Sequence, residues 1–159
     1  MQRLSESEFR DVVKNTPLVS IDLIIENADG EILLGWRNNH PAKGYWFVPG
    51  GRIQKGEQFK DAFRRIVKAE TGITFQLKDS DFLGIYEHIY PNENYRGDSS
   101  FGTHYIVIAY RIKVKDIPEN IPDEQHQEYW WATIDEILED SNVHQNTKNY
   151  FNGLQSFSE

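Results

Sequence analysis

With 159 residues, 38% apolar and 26% charged, the chain suits one domain that buries a sizeable core without a metal or disulfide staple, and disorder or collagen-like repeats are excluded. A net charge of −8 argues against a nonspecific nucleic-acid coat or a binder of anionic membranes, though a few clustered arginines and one cation can invert the field around a phosphorylated ligand. The lack of cysteine removes disulfide frameworks, thiolate zinc sites and a Cys nucleophile.

Met1 to Thr16 is polar and has no signal-peptide core, and no stretch approaches the ~18 apolar residues of a membrane span. A soluble cytoplasmic protein is expected. Ser5 to Asn15 reads as a helix, with Ser5 and Glu8 in capping-box relation and Phe9, Val12 and Val13 at helical spacing. Pro17 stops it. Leu18 to Glu26 and Glu31 to Arg37 read as a hairpin about the turn Asn27-Ala28-Asp29-Gly30. After a polar loop to Tyr45, Trp46 to Gly51 is a short strand interrupted by Pro49. Glu57 to Thr71 is the clearest helix, stopped by Gly72. Phe82 to Tyr90 and Thr103 to Val114 are strands, flanking a polar, mobile-looking loop from Pro91 to Gly102. A second loop spans Ile117 to His126, Tyr129 to Ala132 is a strand, Thr133 and Glu136 cap a short helix, and Asn142 to Phe151 is a last helix. No strand–helix alternation repeats, which argues against a doubly wound parallel sheet. The expected architecture is one domain, 1–159, either α+β or an α/β/α sandwich around a mixed sheet.

The most informative stretch runs from Gly50-Gly51-Arg52 through Glu57 to Thr71-Gly72-Ile73. Glycines at a strand end let the backbone approach a ligand closely, and a free carbonyl there suits a hard cation. Glu57, Asp61 and Arg65 follow at spacing four and would share one helix face. From composition alone this is a solvated face with i,i+4 ion pairs. The spacing, however, resembles the Nudix box over residues 51–73. Gly51, Glu57, Arg65, Val67, Glu70, Gly72 and Ile73 fill their places, whereas Ile66 and Ala69 stand where the family has Glu. The resemblance implies the Nudix α/β/α sandwich and a divalent-cation-dependent attack on a nucleoside diphosphate linked to another group.

The two departures are similar to those of one subgroup, the GDP-mannose mannosyl hydrolases. So are Thr16-Pro17-Leu18-Val19-Ser20, the run from Pro41 to Gly51, Pro122-Asp123-Glu124-Gln125-His126 and Asp140-Ser141-Asn142-Val143-His144. The resemblance covers nearly the whole chain; the main departure is the longer loop Pro91 to Gly102, a candidate lining of the sugar pocket. It implies hydrolysis of GDP-mannose, and of GDP-glucose, to GDP and free sugar by water attack at the anomeric carbon with inversion. It further implies one Mg²⁺ per subunit, replaceable by Mn²⁺, held by the Gly50 carbonyl, Glu70 and Gln125. All three are oxygen donors, as Mg²⁺ prefers.

The same resemblance gives His126 as general base; an ordinary pKa of ~6.5 leaves such a group largely neutral at pH 7. Arg37 and Arg52 are expected at the diphosphate, where a planar guanidinium fork suits phosphate oxygens. Arg65 would pair with Glu57 or another helix carboxylate to orient the site. Tyr105 matches a residue at the phosphate or leaving group, His88 a position implicated in activity, and Asp22 a carboxylate that bonds the sugar or stabilises charge developing at C1. Asp22 also stands out unaided: a carboxylate within Ile21, Leu23, Ile24 and Ile25 needs a partner. Phe9 is a candidate for contacting guanine, a homodimer is implied, and neither nucleic acid nor membrane is expected as a partner. His40 and His144 read as satisfied or surface residues, His104 as undecided, and Trp46, Phe47, Phe63 and Tyr110 as core. Two rivals stay open: a pyrophosphatase attacking phosphorus, and an inactive nucleotide-binding module.

Overall fold

A capping box closes the first helix, Glu6–Asn15 (α1): the Ser5 hydroxyl accepts from the Glu8 N–H and the Glu8 carboxylate from the Ser5 N–H. The computed structural model describes residues 3–117, 121 and 126–153, without the side chains of 126 and 127. In it, Leu18–Glu26 (β1) turns through Asn27, whose side chain accepts from the N–H groups of Asp29 and Glu31, into Ile32–Arg37 (β2). Trp46–Phe47 (β3) and Gly50–Arg52 (β4) follow, then the helix Phe59–Thr71 (α2). The long strands Asp81–Tyr90 (β5) and Thr103–Lys113 (β6) come next, then His126–Ala132 (β7) and the short helices Ile134–Glu139 (α3) and Gln145–Lys148 (α4).

The sheet is mixed, in the order β3-β2-β1-β6-β5, with β4 beside β1 and β7 beside β2. β1 and β6 run parallel along the whole of Leu18–Glu26, and the other pairs are antiparallel. Alternation along β1 sorts the layers. Ile21, Leu23 and Ile25 join Ala62, Phe63, Ile66 and Val67 of α2 on one face. Ile24 joins Tyr86, Val107, Ile137, Val143 and Tyr150 on the other, beneath α3 and α4. Each fully buried aliphatic side chain contributes about 1.5–3 kcal/mol, so the two faces together explain why the result is an α/β/α sandwich.

Several boundaries differ from the sequence expectation. The segment 46–51 is two strands, because Pro49 cannot donate and the chain switches there from β2 to β1. α2 starts at Phe59 rather than Glu57: the Glu57 carboxylate is taken by the Gln54 N–H (3.0 Å) and by Arg65, which holds 54–57 as a turn. Glu57, Asp61 and Arg65 therefore do not share a helix face. The last helix is only four residues long, because Asn142 and His144 bond the backbone of Trp46 and extend the chain beside β3. β7 begins at His126, three residues earlier than expected. At the other end of α2 the stop at Gly72 is present: φ is 79°, and its N–H reaches the Lys68 carbonyl at 2.9 Å.

The loop from Pro91 to Gly102 is built rather than loose. Asn94 is fully buried and bonds Asp98 Oδ1 (2.7 Å), the Phe101 carbonyl (3.1 Å) and the Arg96 N–H (2.9 Å). Glu93 accepts from the Ala42 N–H, and Tyr95 and Arg96 both reach Glu6 of α1. The loop thus ties α1 and the 40–44 segment to the body.

Candidate active site

Where β1, β4, β5 and β6 meet α1, the structure opens a cavity of about 220 Å³. It is lined by Asp22, Arg37, Gly50, Arg52, His88 and Tyr105, together with Phe9, Ser20, Phe47 and Tyr90. Six of the expected site residues are therefore brought together. Glu70 is buried in the last turn of α2 outside this lining. Gln125 lies outside the described residues. His126 is placed by its backbone alone: its Cα pairs with that of Arg37 at the start of β7, just past an irregularity in the β2–β7 register. Its side chain lies outside the described residues. None of 91–102, the loop expected as a candidate lining of a sugar pocket, lines this cavity; the loop instead packs on α1, where Tyr95 meets Phe9.

Asp22 faces α3 and α4 because it alternates with Ile21 and Leu23. It is half-buried in the cavity wall, and desolvation pushes its carboxyl up to about 6, against the opposing effects of a Tyr150 hydrogen bond and the Arg37 charge. The Tyr150 hydroxyl donates to Asp22 Oδ2 at 2.5 Å and stands 3.3 Å from His88 Nε2. Burial, with the charges of His144 and Arg37, drives His88 down to about 3, so the ring is neutral at physiological pH. Gly50 is paired with Asp22 across β1 and β4. A Cβ on Gly50 would overlap Asp22 Oδ1 and lie 2.7 Å from the Ile21 carbonyl, so only glycine fits.

Arg37 is held by the Asn39 (3.0 Å) and Pro41 (2.7 Å) carbonyls and lies over Phe47. Arg52 lies over Phe9, 5.1 Å from the ring centre. Arg65 makes a fork to Glu57 (2.7 and 3.0 Å) and donates to the Arg52 carbonyl at 2.9 Å, tying helix, turn and strand end together. Ile66 packs beneath Gly51 in the α2-side core, whereas Ala69 is exposed. Tyr105 is half-buried, with its pKa raised by desolvation. His144 caps α4 through Nδ1 and stacks on Phe47 (4.8 Å), which fits a satisfied residue. Phe47, expected as plain core, also lines the cavity.

Three lining or supporting residues were not singled out from sequence. Ser20 and Tyr90 lie two residues from Asp22 and His88 on their strands, so period-two alternation was the available signal. Tyr150 was flagged only indirectly, by the partner that Asp22 requires.

The donors fit a hard, oxygen-seeking cation. The Gly50 carbonyl and the Glu70 carboxylate are both oxygen donors, and Asp22 Oδ1 lies where a side chain on Gly50 would stand. Among the described residues no group of three His, Asp or Glu side chains could hold a metal.

A mixed-sheet α/β/α sandwich with a glycine–helix segment behind an arginine-lined cavity defines a Nudix fold. The NUDIX domain family model matches residues 16–152, and the chain belongs to that family of hydrolases. It is 38% identical over 127 residues to the low-salt glycan biosynthesis protein Agl8 of Haloferax volcanii, covering 79% of this chain and 77% of that protein. It is 38% identical over 98 residues to an ADP-ribose pyrophosphatase of Methanocaldococcus jannaschii, covering 62% of this chain and 52% of the other. The MutT protein of Methanosarcina mazei superposes with a TM-score of 0.66 at 26% identity, covering 86% of this chain and 92% of its own. No described helix is long and apolar enough to cross a membrane.

Proposed function

We propose that the protein hydrolyses a GDP-sugar, GDP-mannose and also GDP-glucose, to GDP and free sugar by attack of water at the anomeric carbon with inversion. The observation that carries this reading is the cavity's composition: two arginines beside a half-buried, desolvated carboxylate and a neutral histidine. Arginines suit the leaving diphosphate, and a carboxylate suits positive charge developing at C1. The box supports the same reading, since Ile66 and Ala69 leave few carboxylates for the several cations that attack on phosphorus commonly recruits. Similarity to a glycan biosynthesis protein agrees with a sugar-bearing substrate.

In this mechanism Arg37 and Arg52 bind the diphosphate, and their carbonyl and aromatic contacts fix the two forks before substrate arrives. Arg65 braces the Arg52 carbonyl and Glu57. Tyr105 contacts the leaving group, and Asp22 and His88 face the sugar. His126 takes the proton from the attacking water, and its strand position beside Arg37 supports that role. Gly50, Glu70 and Gln125 would hold Mg²⁺, which when bound neutralises charge on the departing GDP. Homodimer assembly is part of the same proposal, inferred from the family resemblance and readable by light scattering.

A second reading, attack on phosphorus, is favoured by the similarity to an ADP-ribose pyrophosphatase. An NMR time course of GDP-mannose with protein and Mg²⁺ decides between them. GDP with mannose appearing first as the β anomer is the expected result. GMP with mannose 1-phosphate would establish the phosphorus route, and no product from any GDP-sugar would leave a binding module.

A further inference from the structure

Tyr150 follows α4 and is 6% exposed, edge-on to Tyr86 with ring centres 4.6 Å apart. Its hydroxyl is the one described group that reaches both Asp22 Oδ2 (2.5 Å) and His88 Nε2 (3.3 Å). A phenol has a single proton. Burial and the adjoining carboxylate keep that proton on Tyr150, and the short bond assigns it to Asp22. The phenolic oxygen then has only lone pairs to offer His88, so Nε2 must carry the ring's proton. His88 is neutral, which leaves Nδ1 as an acceptor.

We propose that Tyr150 is a positioning residue: its hydroxyl fixes His88 in the Nε2–H tautomer and engages Asp22 Oδ2, so that the cavity floor presents hydrogen-bond acceptors. A floor of this kind receives a ligand's hydroxyl donors and disfavours phosphate oxygens, which are acceptors themselves. It thereby sets the direction in which a molecule carrying both groups lies: hydroxyls toward Asp22 and His88, anionic oxygens toward Arg37 and Arg52. The tautomer follows from the three side chains alone; the orientation of substrate rests on the sugar-nucleotide reading above.

The test is ¹⁵N NMR of the histidine ring nitrogens in the substrate-free protein, with His88 assigned from His88→Gln. In the unmodified protein His88 is expected as the Nε2–H tautomer at pH 7–8, and an Nδ1–H signal would overturn the proposal whether or not any variant folds. Tyr150→Phe keeps the ring packing and removes only the hydroxyl. Its His88 resonances are expected to move toward a mixture of tautomers, and an unchanged pure Nε2–H signal would overturn the proposal. With GDP-mannose the variant is expected to lose roughly 10–100-fold in kcat/KM, in line with loss of a hydrogen bond to a charged group, while GDP itself still binds within about threefold. A tautomer result as expected, together with no turnover of GDP-sugars by the unmodified protein, would sink the sugar-nucleotide reading and leave the tautomer assignment standing.

Discussion

Desolvation of a carboxylate costs several kcal/mol unless hydrogen bonds and countercharge replace the lost water. At Asp22 the replacements are one phenol and one guanidinium. They leave a net penalty, since the folded carboxyl titrates at about 6 against ~3.9 for an unfolded aspartate. Between those values the folded protein keeps a proton that the unfolded chain has released. Stability from this group therefore falls as pH rises through the window from about 4 to about 6. Asp22→Asn cannot ionise, and its amide oxygen can still accept from Tyr150. Urea unfolding without added metal should find it more stable than the unmodified protein at pH 7, by up to roughly 3 kcal/mol, with the advantage gone near pH 4. A variant less stable at both pH values would show that hydrogen bonding at Asp22 outweighs its burial. The need for a partner was legible in the apolar surroundings of Asp22. The partner's identity was not, because Tyr150 is 128 residues away and strand register, not local spacing, brings the two together.

At the level of elements, hydrophobic period and capping chemistry placed α1, β1, β2, α2, β5, β6 and α3 close to where they stand. The expectation failed where long-range bonds decide. Asn142 and His144 bond the backbone of Trp46 instead of joining a helix, and the 91–102 loop reads as mobile only while its Asn94 is assumed to be solvated. Buried Asn94 instead serves as the internal strut of that loop, and the loop in turn holds Glu6 through Tyr95 and Arg96. Truncating Asn94 to Ala leaves the Arg96 N–H, the Phe101 carbonyl and Asp98 short of a partner. The expected cost is about 2 kcal/mol, or a Tm roughly 4–8 °C lower. Because α1 carries Phe9 against Arg52, KM for the nucleotide should rise more than kcat falls. Calorimetry and steady-state kinetics on Asn94→Ala check both, and an unchanged Tm would show that the loop is held from outside Asn94.

For the molecule as a whole, charge works at two ranges with opposite signs. The chain carries −8 overall, while Arg37 and Arg52 face the cavity. Composition made the first legible, and the resemblance of the Gly50–Gly51 segment pointed to the second. That the two arginines share one cavity with Asp22 could come only from the fold. On the GDP-sugar reading proposed above, the anionic substrate approaching from solvent meets repulsion first, and that repulsion is screened once the Debye length shrinks to about 10 Å near 0.1 M salt. Inside the cavity the forks act over single hydrogen bonds that salt screens much less. At fixed, saturating Mg²⁺, raising KCl from about 20 to about 200 mM should therefore leave kcat/KM for GDP-mannose constant or raise it by up to ~3-fold. A protein that gathers polyanions through a basic face behaves the other way, losing ~10³-fold or more over a comparable range. Stopped assays across that salt series measure the sign directly. A steep decline would mean that long-range attraction, from a positive field the net charge conceals, governs capture of the substrate.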